Sequence, residues 1–273
     1  MPIQRFYTIF LFTVSLASAA IAGPGSPAPL SIGETWTLTS KVLGETRRIN
    51  VYIPAGLPAG KRLPVMYMPD GGLQEDFLHV AGLLQVGAGN GTSRPFLLVG
   101  IENTERRRDL TGPTDSASDR SIAPRVGASQ AFRKFIRSEL MPEVERRYLT
   151  TAEKAIVGES LAGLFVVETL IVEPELFDTY IAIDPSIWWN KGYLAKLVND
   201  TRPTIQGNKT LYIATSADAR LVVDGADIGT GLRKVAGLRL LHEDWPAETH
   251  ASVYHPAALK AFRALLKAPG AAP

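Results

Sequence analysis

The hydrophobic positions along the chain fall into two rhythms. Trp36, Leu38, Ile49, Val51 and Ile53 alternate with polar residues on either side of Gly44, the period of two expected of an antiparallel hairpin with one buried face. This predicts one edge of a sheet. The runs LPVMYMPDGG (63–72) and RPFLLVGIEN (94–103) stay apolar until they reach Gly or polar residues, as strands buried on both faces do. Residues 74–86, between them, predict a helix. From Ser129 to Tyr148, Phe132, Phe135, Ile136, Leu140 and Val144 recur every three or four residues, which predicts a covering helix that Pro142 kinks or restarts. The segment KAIVGESLAGLFV (154–166) passes from a β-branched run into a helical pattern that extends to about Val172. FDTYIAID (177–184), TLYIATSAD (210–218) and LRLLHED (238–244) predict three more strands, and a last helix is expected over about 255–266. Strands alternating with helices imply an α/β fold, a mostly parallel central sheet with helices on both faces and ligand chemistry at the carboxyl ends of its strands.

Composition bounds what such a sheet can serve. The 273 residues, 45% of them hydrophobic, suit one α/β domain. Arg5 precedes an apolar run from Phe6 to Ala22 that ends in small residues and is short for a membrane span. Residues 1–22 are therefore expected to be a signal peptide cleaved after Ala22, giving a periplasmic or secreted protein with no stable membrane span, with an uncleaved anchor as the alternative. Residues 23–34, Gly/Pro/Ser-rich over 23–30, form the expected flexible lead, 35–268 the domain and 269–273 a tail. With no cysteine, the chain has no disulfide framework, thiolate metal site or lipid-modified Cys. Loss of the signal removes one Arg and no acid, so the net charge of +2 falls by one, and nothing argues for nucleic acid. Arg106, Arg107 and Arg108, flanked by Glu105 and Asp109, read as a solvated, self-paired loop.

The candidate chemistry lies in residues 158–162. A serine hydroxyl is a weak nucleophile unless it stands clear of its neighbours, beside a base and oxyanion donors. A sharp strand-to-helix turn puts Ser160 at such a tip, with small Gly158 and Ala162 two residues to either side. His250, in the loop between the last strand and the last helix, is the candidate base. His79, His242 and His255 fall in predicted elements and suit packing or capping. For the acid that orients the imidazole, Asp218 ends the strand before the last and fits the order Ser, acid, His. Asp184, at the end of the strand after the turn, is its rival, with Asp224 and Asp227 as turn residues. Backbone N–H groups of Leu161 and of Gly71 or Gly72 are the candidate oxyanion hole. Trp188 and Trp189 follow a strand end, where they could line a pocket or pack inside.

Taken jointly, PVMYMPDGG (64–72), VGIENTERRRDL (99–110), FRKFIRSELMPEVERRY (132–148), VGESLAGLF (157–165), DPSIWWN (184–190) and ETHASV (248–253) resemble the esterase family of α/β-hydrolases that includes trilactone siderophore esterases, esterase D and mycolyltransferases. The match spans roughly residues 35–266 and looks closest to the secreted siderophore-esterase branch. The resemblance implies an α/β-hydrolase fold, Ser160 as nucleophile, His250 as base and oxyanion donors near Gly71 and Leu161. Members differ in whether a third acid is used, so a Ser-His dyad stays open. The implied activity is that of a serine carboxylic ester hydrolase acting through an acyl-enzyme, with a small-molecule siderophore-like or aryl ester as substrate and no metal or cofactor. Glu159 and Ala162 stand where the family often has His and Gly. They motivate the alternative of a binding protein on a hydrolase scaffold, and an acyltransferase of the same fold is the runner-up among enzymes.

Overall fold

The two most apolar runs become neighbouring strands with every residue buried, and the sheet is built outward from them. The computed structural model describes residues 27–201, 203–219 and 221–267. Its main sheet contains β1 (Gly33–Ser40), β2 (Glu45–Tyr52), β3 (Leu63–Pro69), β4 (Leu97–Ile101), β5 (Thr150–Glu159), β6 (Thr179–Ile183), β7 (Thr204–Ser216) and β10 (Ala236–Trp245), while β8 (Val222–Val223) and β9 (Ala226–Asp227) form a separate two-stranded hairpin. The order across the eight strands is β1-β2-β4-β3-β5-β6-β7-β10. β1 and β2 make the expected hairpin, turning at Gly44 with φ +69° and pairing Trp36 with Ile49. β2 runs antiparallel to β4. All later neighbours are parallel, the mostly parallel α/β-hydrolase arrangement that the sequence implied.

Helices cover both faces. α1 (Phe77–Gly89) and α9 (Tyr254–Leu265) lie on one side, where Phe77, Val80 and Phe262 join Met66, Met68 and Tyr212 of the sheet in one core. The other core packs Tyr67 and Ile156 under Phe132, Val144, Phe165, Leu194 and Ile228. These come from α4 (Ser129–Phe135), α5 (Met141–Arg147), α6 (Leu161–Val172), α7 (Trp189–Thr201) and α8 (Ile228–Leu232). The short α2 (Arg106–Leu110) and α3 (Ala117–Ser121) lie between β4 and α4. A π turn over Ile136–Leu140 joins α4 to α5, with Pro142 in the first turn of α5. The wider turn accommodates the i→i−4 hydrogen bond that proline cannot make, so the amphipathic stretch continues as the predicted restart.

Residues from Ile32 onward form one compact unit; residues 27–31, the described part of the other, adopt no helix or strand. The expected signal peptide and tail lie outside the described residues. Among those described, no helix is long and apolar enough to cross a membrane.

One feature of the sheet prepares the site. β3, β5 and β6 lie side by side, and the residue ending or following each has a left-handed backbone: Asp70 at φ +56°, Ser160 at +58° and Asp184 at +44°. Such conformations are strained for residues other than glycine and persist only where the surroundings hold them. Here three adjacent carboxyl ends turn sharply at one sheet edge.

Candidate active site

The elbow is fixed by close packing. A Cβ at Gly158 would meet the Cβ of Ala162 at 2.6 Å, so only glycine fits beneath the turn. The Ala162 methyl, itself fully buried, occupies the space that the missing Cβ of Gly158 leaves. Gly163 is pressed against Pro185, whose Cα would lie 3.1 Å from an added Cβ. The Ser160 N–H donates to Ile183 O at 3.0 Å, which ties the turn to β6. Leu161 opens α6, where an N–H has no acceptor within its own helix.

Asp184 and His250 meet above this turn. His250 Nδ1 lies 2.6 Å from Asp184 Oδ2, and the carboxylate is almost wholly buried. It also accepts from the Ser216 N–H at 2.9 Å and the Ser216 hydroxyl at 2.7 Å. With Nδ1 on the carboxylate, Nε2 is the ring nitrogen left to accept a proton. The favoured assignment of the acid to Asp218 is therefore corrected. Asp218 Oδ2 accepts from the backbone N–H of His250 at 2.9 Å and does not orient the ring. It lies two residues beyond the end of β7, whereas Asp184 directly follows β6 in a left-handed turn and its carboxylate meets the imidazole. Ser160, Asp184, Ser186, Trp188, Asp218 and His250 line one cleft of about 360 Å³.

Two other expectations change. Trp188 is 40% exposed on the cleft, but Trp189 is 4% exposed and its indole N–H donates to Gly112 O at 2.8 Å. Adjacent residues entering a helix point in different directions, so only one of the pair can face the cleft. The glycine amides proposed as oxyanion donors are both engaged. The Gly71 N–H donates to Ile101 O at 3.0 Å, extending the β3–β4 ladder, and that of Gly72 donates to Glu75 Oε2 at 2.6 Å. Gly71 is glycine because an added Cβ would lie 2.2 Å from Ile101 N: the close approach is to β4.

The comparisons with known proteins bear on this geometry. The Esterase family model matches residues 40–224, more than half of the chain. The chain belongs to this esterase family. A relative named ferri-bacillibactin esterase BesA, from Bacillus subtilis strain 168, is 33% identical over 174 residues, covering 56% of this chain and 58% of the relative. A siderophore triacetylfusarinine C esterase from Aspergillus fumigatus is 33% identical over 139 residues, 47% of this chain and 46% of the relative. The chain thus spans about half the length of these curated relatives. Among solved structures, an IroE-like serine hydrolase from Shewanella oneidensis superposes with a TM-score of 0.72 at 28% identity, covering 86% of this chain and 80% of that one.

In this member of the esterase family the carboxyl ends of β3 and β4, next to β5 in the sheet, are held by charges expected from the sequence to be solvated. Arg106 Nε and Nη2 donate to Asp70 at 2.7 and 2.8 Å. Asn103 Nδ2 bridges Asp70 at 2.5 Å and Glu75 at 3.0 Å. Arg108 binds Glu45 and Asp109 at 2.7 Å each, and the wholly buried Arg47 pairs with the same two acids. The Arg108 hydrogen bond is the main force holding the Glu45 carboxyl down at about 2. Arg107 alone of the three is exposed. The Arg run is thus an anchor for these strand ends, and its only sequence signal was the interleaving of acids with bases. Glu159 is pushed up to about 7, chiefly by burial; His250 and Arg106 oppose the shift, while Asp76 and Asp184 add to it. Burial also raises Asp76, to about 6.

Proposed function

We propose that the chain is a serine ester hydrolase that works through an acyl-enzyme on siderophore-type or aryl esters. The observation that carries this reading is the Asp184–His250 hydrogen bond at 2.6 Å, opening onto the cleft that holds Ser160 at a strained elbow. His250 Nε2 takes the Ser160 proton as Oγ attacks the ester carbonyl, and the buried Asp184 carboxylate stabilises the imidazolium. The proton then goes to the departing alcohol. In the second half, water adds to the acyl carbon, passes its proton to Nε2, and Oγ leaves with that proton. The Leu161 N–H serves the oxyanion, being directed from a helix start next to the nucleophile.

The substrate class rests on two supports. The curated relatives carry names of siderophore esterases, and Trp188 offers an exposed ring beside Ser160 on which a flat acyl group can stack. The apolar, small-residue-terminated N-terminus supports export to the periplasm or beyond.

The test is an ester panel from acetyl and butyryl through aryl and feruloyl to a catecholate trilactone, run with wild type, Ser160→Ala and Trp188→Ala. Ser160→Ala is expected to lose at least about 10⁴-fold in kcat and to resist fluorophosphonate labelling. Trp188→Ala is expected to raise KM for aryl esters more than for acetyl. Labelling that persists in Ser160→Ala would move the nucleophile elsewhere, and a preference for acetyl that ignores Trp188 would remove the aromatic substrate class.

A further inference from the structure

A second hydroxyl lies beside the nucleophile. Ser186 Oγ is 3.3 Å from Ser160 Oγ, inside the same cleft, in a residue only 4% exposed. Its placement is not loose. The Ser186 N–H donates to Ser160 O at 3.0 Å, the Ser160 N–H donates to Ile183 O at 3.0 Å, and the Asp184 N–H donates to Ala214 O at 2.8 Å. Pro185 is pressed by Gly163 of the nucleophile's own helix. The segment that carries the carboxylate for His250 therefore also carries a hydroxyl clamped against Ser160.

Which hydroxyl donates follows from the chemistry. To be activated, Ser160 must point its proton at His250 Nε2, which leaves an Oγ lone pair facing Ser186. In that state Ser186 is the donor. The geometry points to Ser186 as a further catalytic residue, one that donates a hydrogen bond to Ser160 Oγ and speeds its departure in deacylation. This rests on the acyl-enzyme reading above. In the acyl-enzyme, Ser160 Oγ is an ester oxygen. Water adds to the acyl carbon and its proton passes to Nε2. When the tetrahedral intermediate collapses, the C–Oγ bond breaks, its electron pair goes to Oγ, and Oγ takes the proton back from Nε2. Ser186 keeps its own proton throughout. Its hydrogen bond favours the leaving oxygen but withdraws electron density from the same oxygen when it attacks, so the two half-reactions respond with opposite sign.

Single-turnover and steady-state kinetics on a p-nitrophenyl ester separate them. In Ser186→Ala the acylation rate is expected to stay within about threefold of wild type or rise, while deacylation and kcat fall roughly tenfold, the loss of about one hydrogen bond at the transition state. The burst of p-nitrophenol then approaches one equivalent per enzyme, and mass spectrometry finds the acyl group on Ser160. An equal fall in acylation and deacylation would mark a merely structural role and overturn the proposal, as would no change in either. A circular-dichroism spectrum and a Tm close to wild type verify that Ser186→Ala is folded. If wild type itself gives neither fluorophosphonate label nor acyl group on Ser160, it is the acyl-enzyme reading that has failed.

Discussion

The sheet's carboxyl edge has two sides, or rims, that are built on different principles. On one, β5, β6 and β7 end beside the proposed reaction centre, with Ser160 at the elbow, Asp184 on the His250 ring, and Ser216 holding the carboxylate with both backbone and hydroxyl. On the other, the ends of β3 and β4 commit their polar groups to one another. Asp70 is held by Arg106 and Asn103, Glu75 by Gly72 and Asn103, and the Gly71 N–H by β4. The first rim leaves Nε2 and a hydroxyl available, whereas the second is satisfied internally and gives shape and charge.

The sharpest way to break this contrast is to exchange the two acids near His250. Asp184→Asn should lower kcat by roughly 10³- to 10⁴-fold, because the amide no longer stabilises an imidazolium and can favour the wrong tautomer. Asp218→Asn should stay within about threefold, since its amide oxygen still accepts from the His250 N–H. Asp218→Ala, which loses that acceptor, should fall about tenfold. These are measured as kcat on one activated ester. A large effect at Asp218→Asn with a small one at Asp184→Asn would reverse the assignment, and near-full activity in both would leave a Ser-His dyad.

On the satisfied rim the expected effect is smaller and falls mainly on stability. Glu75 accepts from the Gly72 N–H at 2.6 Å and from Asn103 Nδ2 at 3.0 Å. Glu75→Ala leaves both donors to water, at a cost of about 2 kcal/mol, roughly 4–8 °C in Tm by thermal melting. Turnover should fall with the loosened loop, by less than in Asp184→Asn. A rise in turnover would mean that Glu75 masks Gly72 as an oxyanion donor, and the two rims would then be alike.

The same contrast explains what could be read from the sequence. The strands, the hairpin at Gly44 and the elbow at Ser160 are each specified by one short segment, in which periodicity or small residues set the geometry locally. His250 was legible because few histidines exist and only one falls in a suitable loop. Its acid was not, because spacing along the chain placed Asp218 and Asp184 at equivalent strand ends. What separates them is a left-handed turn at a non-glycine residue, for which the sequence carries no mark. Trp188 and Trp189 posed the same difficulty, since adjacent identical residues differ only in direction. The Arg106–Arg108 run is self-paired at Arg108, which meets the flanking Asp109 and Glu105, but Arg106 finds Asp70 and Arg108 also finds Glu45 across 36 and 63 residues.

The smallest expected effect concerns Glu159, which precedes Ser160 and feels Asp76 and Arg106 on one side and His250 and Asp184 on the other. Its carboxyl is pushed up to about 7 from an ordinary 4.5, chiefly by burial. Below the ordinary value the group is protonated whether the chain is folded or not. As pH rises toward 7 the unfolded chain releases this proton first, so stability falls across that window, and above it the deficit stays constant. Glu159→Gln cannot ionise. Its Tm should match wild type near pH 4.5 and exceed it by about 3 °C at pH 8. Because the Asp76 charge helps to raise Glu159, Asp76→Asn should move the wild-type decline to lower pH. Melting curves taken every half pH unit decide the matter: if wild type and Glu159→Gln stay parallel throughout, the Glu159 carboxyl releases its proton over the same range in the folded and the unfolded chain, and neither burial nor the neighbouring carboxylates act on it.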